Sequence, residues 1–107
     1  MKIAVPSIGK NPESFVSNSF GHAPFIIIYN DETNKYNHFE NIGFKLKDGS
    51  GIKAAELIIQ NNADVLLTRE IGHKTYSVLM KEHISIHILN ISGSVKSTVN
   101  KYLKKRK

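Results

Sequence analysis

The chain has 107 residues, 40% hydrophobic and 22% charged, which suits one folded domain and excludes both a two-domain protein and a disordered one. It contains no cysteine, so disulfides, thiolate-held zinc and thiolate-anchored iron–sulfur clusters are excluded, and any metal must use other ligands. Of the net charge of +6, five positive charges come from Lys101, Lys104, Lys105, Arg106 and Lys107, and without them the balance falls to +1.

Taken in chain order, Ile3-Ala4-Val5 is a short apolar strand ended by Pro6, and the stretch up to Ser19 is loop, rich in Ser, Asn, Gly and Pro. The apolar start is too short for a signal peptide, and no later segment is long enough to span a bilayer, which predicts a soluble cytoplasmic protein without membrane contact. Phe25-Ile26-Ile27-Ile28-Tyr29 is a second strand of β-branched and aromatic residues. The turn composition of Asn30-Asp31-Glu32-Thr33-Asn34 returns it as a hairpin to a third strand, 35–41, whose weak alternation marks an edge. Beyond Gly43, Gly49 and Gly51 the period changes. Ile52, Ala55, Ile58 and Ile59 recur at helical spacing, and Asn61-Asn62 ends that helix. Asp64 opens a fully buried strand, Val65-Leu66-Leu67-Thr68. Tyr76, Leu79 and Met80 mark a second helix, Ile84, Ile86 and Ile88 a further buried strand, and Val95, Val99, Tyr102 and Leu103 a last helix. The expected fold is therefore α/β in the order β-β-β-α-β-α-β-α, a single domain over 1–104 with a mixed five-stranded sheet and three helices. Residues 101–107 are expected to form a frayed, solvated basic C-terminal tail overlapping the last helix. They lack the interleaved aromatic pattern that stacks on bases, so nucleic acid ranks last among partners.

Strands one, three, four and five can run the same way, which gathers their carboxyl ends on one rim, where open α/β sheets bind ligands. The loop carrying Phe20, Gly21 and His22 returns there, as do 43–51, 68–73 and 90–94. Their glycines, hydroxyls and helix-start N–H groups, with the imidazoles of His22 and His73, are parts that favour an anion. Gly49-Ser50-Gly51 and Gly93-Ser94 lack the spacing of a phosphate loop. Of the five histidines, His83 and His87 fall around a strand rather than on one helix face, and His38 lies in the edge strand, which leaves His22 and His73 as the imidazoles available to a metal. No nucleophile elbow, cysteine nucleophile or converging carboxylates occur. Glu40, Asp48, Asp64 and Glu70 are scattered, and Glu70 is placed to pair with Arg69 or Lys74. A non-enzymatic protein is expected.

The segments Met1-Lys2-Ile3-Ala4-Val5-Pro6, Ser19-Phe20-Gly21-His22-Ala23-Pro24-Phe25, Gly49-Ser50-Gly51-Ile52-Lys53-Ala54-Ala55, Ile71-Gly72 and Ile91-Ser92-Gly93-Ser94-Val95 resemble, in order, those of the dinitrogenase iron–molybdenum cofactor biosynthesis family. The resemblance implies a ribonuclease H-like motif that binds or carries iron–molybdenum cofactor, an iron–sulfur precursor cluster or a related anionic metallocluster, held transiently and exchanged with a donor or acceptor protein. Nitrogen-fixation members often place a histidine where this chain has Ser19, many stand-alone relatives place arginine at His22, and Thr75 stands where the family's Ile-Gly-x-x-Ala segment has alanine. Binding is expected through Ser19, Phe20, Gly21, His22, Gly49, Gly51, Gly72, His73 and Gly93, with His22 and His73 as metal ligands. The alternative is a regulatory or ligand-binding module of the same fold without a metal role.

Overall fold

A computed structural model of the protein describes residues 1–90 and 93–106. Strands β1 (Lys2–Ser7), β2 (Phe25–Asn30) and β3 (Lys35–Glu40) come first, followed by a short 3-10 helix, Ile42–Lys45. Helices α1 (Ser50–Gln60), α2 (His73–Lys81) and α3 (Val95–Lys105) then alternate with β4 (Val65–Thr68) and β5 (Ser85–Ile88). The β2–β3 hairpin turns at 31–34, where Asn34 takes φ 57°, and pairs Tyr29 with Tyr36. The sheet order is β3-β2-β1-β4-β5. β2 is antiparallel to both neighbours, while β1, β4 and β5 are parallel, so the four other strands share one direction. Order and direction together are those of the ribonuclease H-like motif.

Strand alternation divides the core between two faces. Ala4, Ile26, Ile28 and Leu66 meet Ala54, Ala55 and Ile58 of α1 and Leu79 of α2. Ile3, Val5, Ile27, Val65 and Leu67 meet Val95 and Val99 of α3. Because both faces are covered, the central strands are apolar at consecutive positions, as the sequence of β4 predicts. Asp64 opens β4 by accepting from the Lys2 N–H at 2.8 Å.

The helix that Tyr76, Leu79 and Met80 mark is α2, on which Thr75 and Leu79 are buried while Tyr76 and Met80 face outward. Three expectations are corrected. β5 is an edge strand, with Ile84 buried but Ile88 57% exposed, because an edge lacks neighbours on one side. The basic segment is helical rather than frayed over 101–105, where α3 continues to Lys105 and Tyr102 lies among the cations. Cations in a last turn complement the helix dipole, which favours that continuation. Glu70 has no ion pair among the described residues. Among the described residues no helix is long and apolar enough to cross a membrane.

On the half-covered hairpin, the rings of Tyr29 and Tyr36 pack against each other tilted at 42°, with centroids 4.6 Å apart. Burial, then the neighbouring Tyr29 and Glu13, raise the Tyr36 phenol above its ordinary value of 10.0. The fold disfavours the phenolate, so stability is complete below that ordinary value and falls as the pH rises from there through the raised one. Tyr36→Phe is expected to flatten the decline of unfolding free energy above about pH 10, measured by urea titration across the alkaline range.

Candidate functional site

β1, β3, β4 and β5 end, and β2 begins, at a common rim. The loop after β1 is fastened there by its own backbone. Ser17 N–H donates to the Pro6 carbonyl at 2.9 Å, and Val95 and Lys96 at the start of α3 donate to Ser14 and Pro12, each at 2.9 Å. Phe20 is 1% exposed and sits in the core with α1. It therefore anchors the loop and is corrected as a ligand contact, since an apolar ring is held where it escapes water. Ser19 accepts from the His22 N–H at 3.2 Å, closing the turn that carries the imidazole.

His22 joins two loops to α1. Its Nδ1 lies 3.2 Å from the Phe44 carbonyl oxygen, and its Nε2 lies 3.3 Å from Ser50 Oγ. A carbonyl only accepts, so Nδ1 carries the proton in the neutral ring and the Nε2 lone pair faces the Ser50 hydroxyl. That is the tautomer in which imidazole ligates a metal, with Nδ1–H fixed by a backbone oxygen. Gly21 makes the approach feasible: a Cβ there would lie 2.7 Å from both Gly51 N and Ser50 Oγ. Gly51 in turn packs on α2, where a Cβ would meet Thr75 Oγ1 at 2.3 Å.

The loop carrying His22 thus abuts the start of α1, and α1 abuts the first turn of α2, which opens with His73. His73 is exposed, and its imidazole has no hydrogen-bond partner among the described residues. Both elements stand at the same rim, but among the described residues no hydrogen bond or ring contact links the two imidazoles. Among the described residues no group of three or more His, Asp or Glu side chains is arranged to hold a metal ion.

Both α1 and α2 begin after a glycine, Gly49 at φ 81° and Gly72 at φ −70°, with no side-chain cap and no acidic residue in the first turn. Their leading N–H groups consequently keep donor capacity and partial positive charge at the rim. Helix α3 differs, because Ser94 accepts from Ser97 N–H at 3.0 Å and caps it. Gly93 precedes that cap at φ 117°; Ile91 and Ser92 of the same segment lie outside the described residues, as does Lys107 of the tail.

Sequence reasoning missed Asn41. Its side chain is 1% exposed and its Nδ2 donates to the Gly21 carbonyl at 3.0 Å and the Ala23 carbonyl at 2.8 Å, clamping the His22 loop to the end of β3. An asparagine after a strand reads as a turn former, and no local pattern signals this role. The 3-10 helix was also missed. It carries the Phe44 carbonyl that meets His22, and it leaves Ile42 88% exposed.

The profile of the dinitrogenase iron-molybdenum cofactor family matches residues 1–105. The chain belongs to this family. Comparison with curated proteins finds no match. Among solved structures, the apo form of the orange protein from Desulfovibrio gigas superposes with a TM-score of 0.92 at 26% identity, covering 98% of this chain and 88% of that one. A Thermotoga protein of the DUF35 family superposes with a TM-score of 0.85 at 24% identity, covering 98% and 89%, and bears on the fold alone. In this family member, Gly21 of the Phe-Gly-His segment and Gly51 of the Gly-Ser-Gly segment sit where the first loop, α1 and α2 touch, whereas Gly49 borders open space.

Proposed function

We propose that this rim carries an anionic metallocluster as cargo, iron–molybdenum cofactor or an iron–sulfur precursor, without transforming it. One observation carries the reading: the His22 imidazole, its Nδ1 against the Phe44 carbonyl oxygen and its Nε2 against Ser50 Oγ, stands at the uncapped start of α1. Family membership and the likeness to a protein known in an apo form support it. An imidazole supplies a ligand to a metal at the cluster surface, and the N–H groups of α1 and α2 offset the cluster's negative charge. With no thiolate in the chain, such a cargo is held loosely enough to be passed on to an acceptor protein. Ser19 serves by holding the backbone turn at His22, and His73 supplies a second imidazole from the adjoining helix start.

Mixing the protein anaerobically with isolated cofactor is expected to change the cluster's visible absorption and paramagnetic spectrum. His22→Ala combined with His73→Ala is expected to weaken the apparent affinity by about tenfold or more, since outer or weak ligands contribute on that scale. Unchanged spectra on mixing, or an undiminished response in the double variant, would reject the assignment.

The lack of a three-ligand group among the described residues favours, as a second reading, a module that binds a metal-free organic or phosphate anion at the same rim. Elemental analysis of anaerobically isolated protein, with a thermal-shift screen of anions, separates the two. Iron or molybdenum retained with the protein supports the carrier; stabilisation by a metal-free anion alone supports the module.

A further inference from the structure

Away from the rim, the sheet ends at β5, which has a neighbour on one side only. In a parallel ladder alternate residues bond to one neighbour. Ser85 N–H donates to the Asp64 carbonyl and Leu89 N–H to the Thr68 carbonyl, each at 2.9 Å, so the peptide groups of Ile86 and Ile88 turn to the open edge. Beside that edge, between β5 and α3, runs a cleft of about 750 Å³. Lys101 and Lys105, one helical turn apart on α3, line it together with Arg106, His87, Tyr102 and Ser85. Among the described residues no carboxylate lines the cleft, and none of its three cations is ion-paired.

Edge strands are commonly defended by charges placed on the strand itself. Here β5 carries no charged residue apart from the titratable His87, and the cations stand back on the neighbouring helix, where they attract an anionic strand instead of blocking every strand. Tyr102 is already engaged, edge-on to His87 at 5.0 Å and under Arg106 at 5.8 Å, with Arg106 donating to its hydroxyl at 3.1 Å. Its ring is therefore a poor stacking platform for a base, which favours peptide over nucleic acid.

We propose that β5 and this cleft dock an extended acidic segment of a partner protein, added to the sheet as a sixth strand. Its backbone pairs with the outward peptide groups of Ile86 and Ile88. Because strand side chains alternate, every second residue falls on the α3 side, where carboxylates meet Lys101, Lys105 and Arg106. The residues between fall on the face of Ile86 and the exposed Ile88, where apolar side chains are accommodated. The recognised segment thus alternates acidic and apolar residues. The proposed contacts, Ile86, Ile88, Lys101, Lys105 and Arg106, include none of the residues proposed to hold the cargo, and docking does not depend on that cargo.

A fluorescein-labelled peptide of alternating glutamate and valine is the probe, followed by anisotropy with the full chain. Salt-sensitive binding is expected, weakened about tenfold or more by Lys101→Glu with Lys105→Glu, and unaffected by His22→Ala with His73→Ala. Circular dichroism establishes that each variant is folded. Hydrogen exchange on the bound protein is expected to slow at the amides of Ile86 and Ile88, a readout that charge attraction alone does not produce. Equal affinity for a glutamine–valine peptide, binding without protection of those two amides, or displacement by an oligonucleotide at lower concentration than by unlabelled peptide would each overturn the proposal.

Discussion

Asn41→Leu is expected to lower the unfolding free energy by about 2–4 kcal/mol and to release the His22 loop, although asparagine and leucine are close in size. The physical reason is an asymmetry between making and abandoning a buried hydrogen bond. The Asn41 amide supplies both donors that satisfy the Gly21 and Ala23 carbonyls inside the protein. Leucine leaves those two oxygens dry and unpaired, at about 1–3 kcal/mol each. Part of that loss is offset, because Asn41 Oδ1 is itself buried without a partner and leucine removes it. Urea denaturation checks the magnitude through a lowered midpoint at unchanged slope. Exchange at the Gly21 and His22 amides, compared with amides in β4, checks that the loop loosens more than the sheet. A loss below about 0.5 kcal/mol, the range of ordinary surface substitutions, would mean that water replaces the amide and that Asn41 is no clamp.

Gly21→Ala is the second large effect. Turning the Ser50 hydroxyl aside does not relieve the added methyl, since it also meets the Gly51 backbone nitrogen at the head of α1 at 2.7 Å. Either the loop or the helix must move, and overpacking of this kind costs about 1–3 kcal/mol. The functional cost is larger than the energetic one, because the motion separates His22 from Ser50 and from the donors of α1. Cluster-induced spectral change is therefore expected to vanish in Gly21→Ala while the far-ultraviolet spectrum stays that of a folded protein. Gly72→Ala is the matched control. A Cβ there meets nothing within 4 Å and the backbone sits at φ −70°, so stability is expected to stay within about 1 kcal/mol of the parent. If both variants lose the spectral response equally, the close contact at Gly21 is not what positions the imidazole.

Much of the architecture was legible before any coordinates, for local reasons. Short β-branched and aromatic runs such as Phe25-Ile26-Ile27-Ile28, helical spacing through Ala55 and Ile58, and turn residues between them specify element type and order. A hairpin and two strand–helix–strand units then leave a mixed sheet with its carboxyl ends on one rim. Burial of β5 was not legible, because Ile84, Ile86 and Ile88 show one apolar face whether or not a further strand lies alongside. The reach of α3 was likewise hidden: cations such as Lys104 and Lys105 look like a solvated tail until a helix end gives them a dipole to complement.

What the sequence determined by itself, then, is whatever short-range chemistry decides: the elements, their order, the absence of thiolate ligands and the loops bound for the rim. Tertiary structure alone decided how those loops meet. Asn41 reaches carbonyls 20 and 18 positions earlier in the chain, and Ser50 meets His22 across 28. Contacts at such separations arise from the packing of whole elements, and no periodicity along the chain encodes them. The cleft beside β5 has the same origin, for it exists only because one helix leaves the outer strand of the sheet partly uncovered.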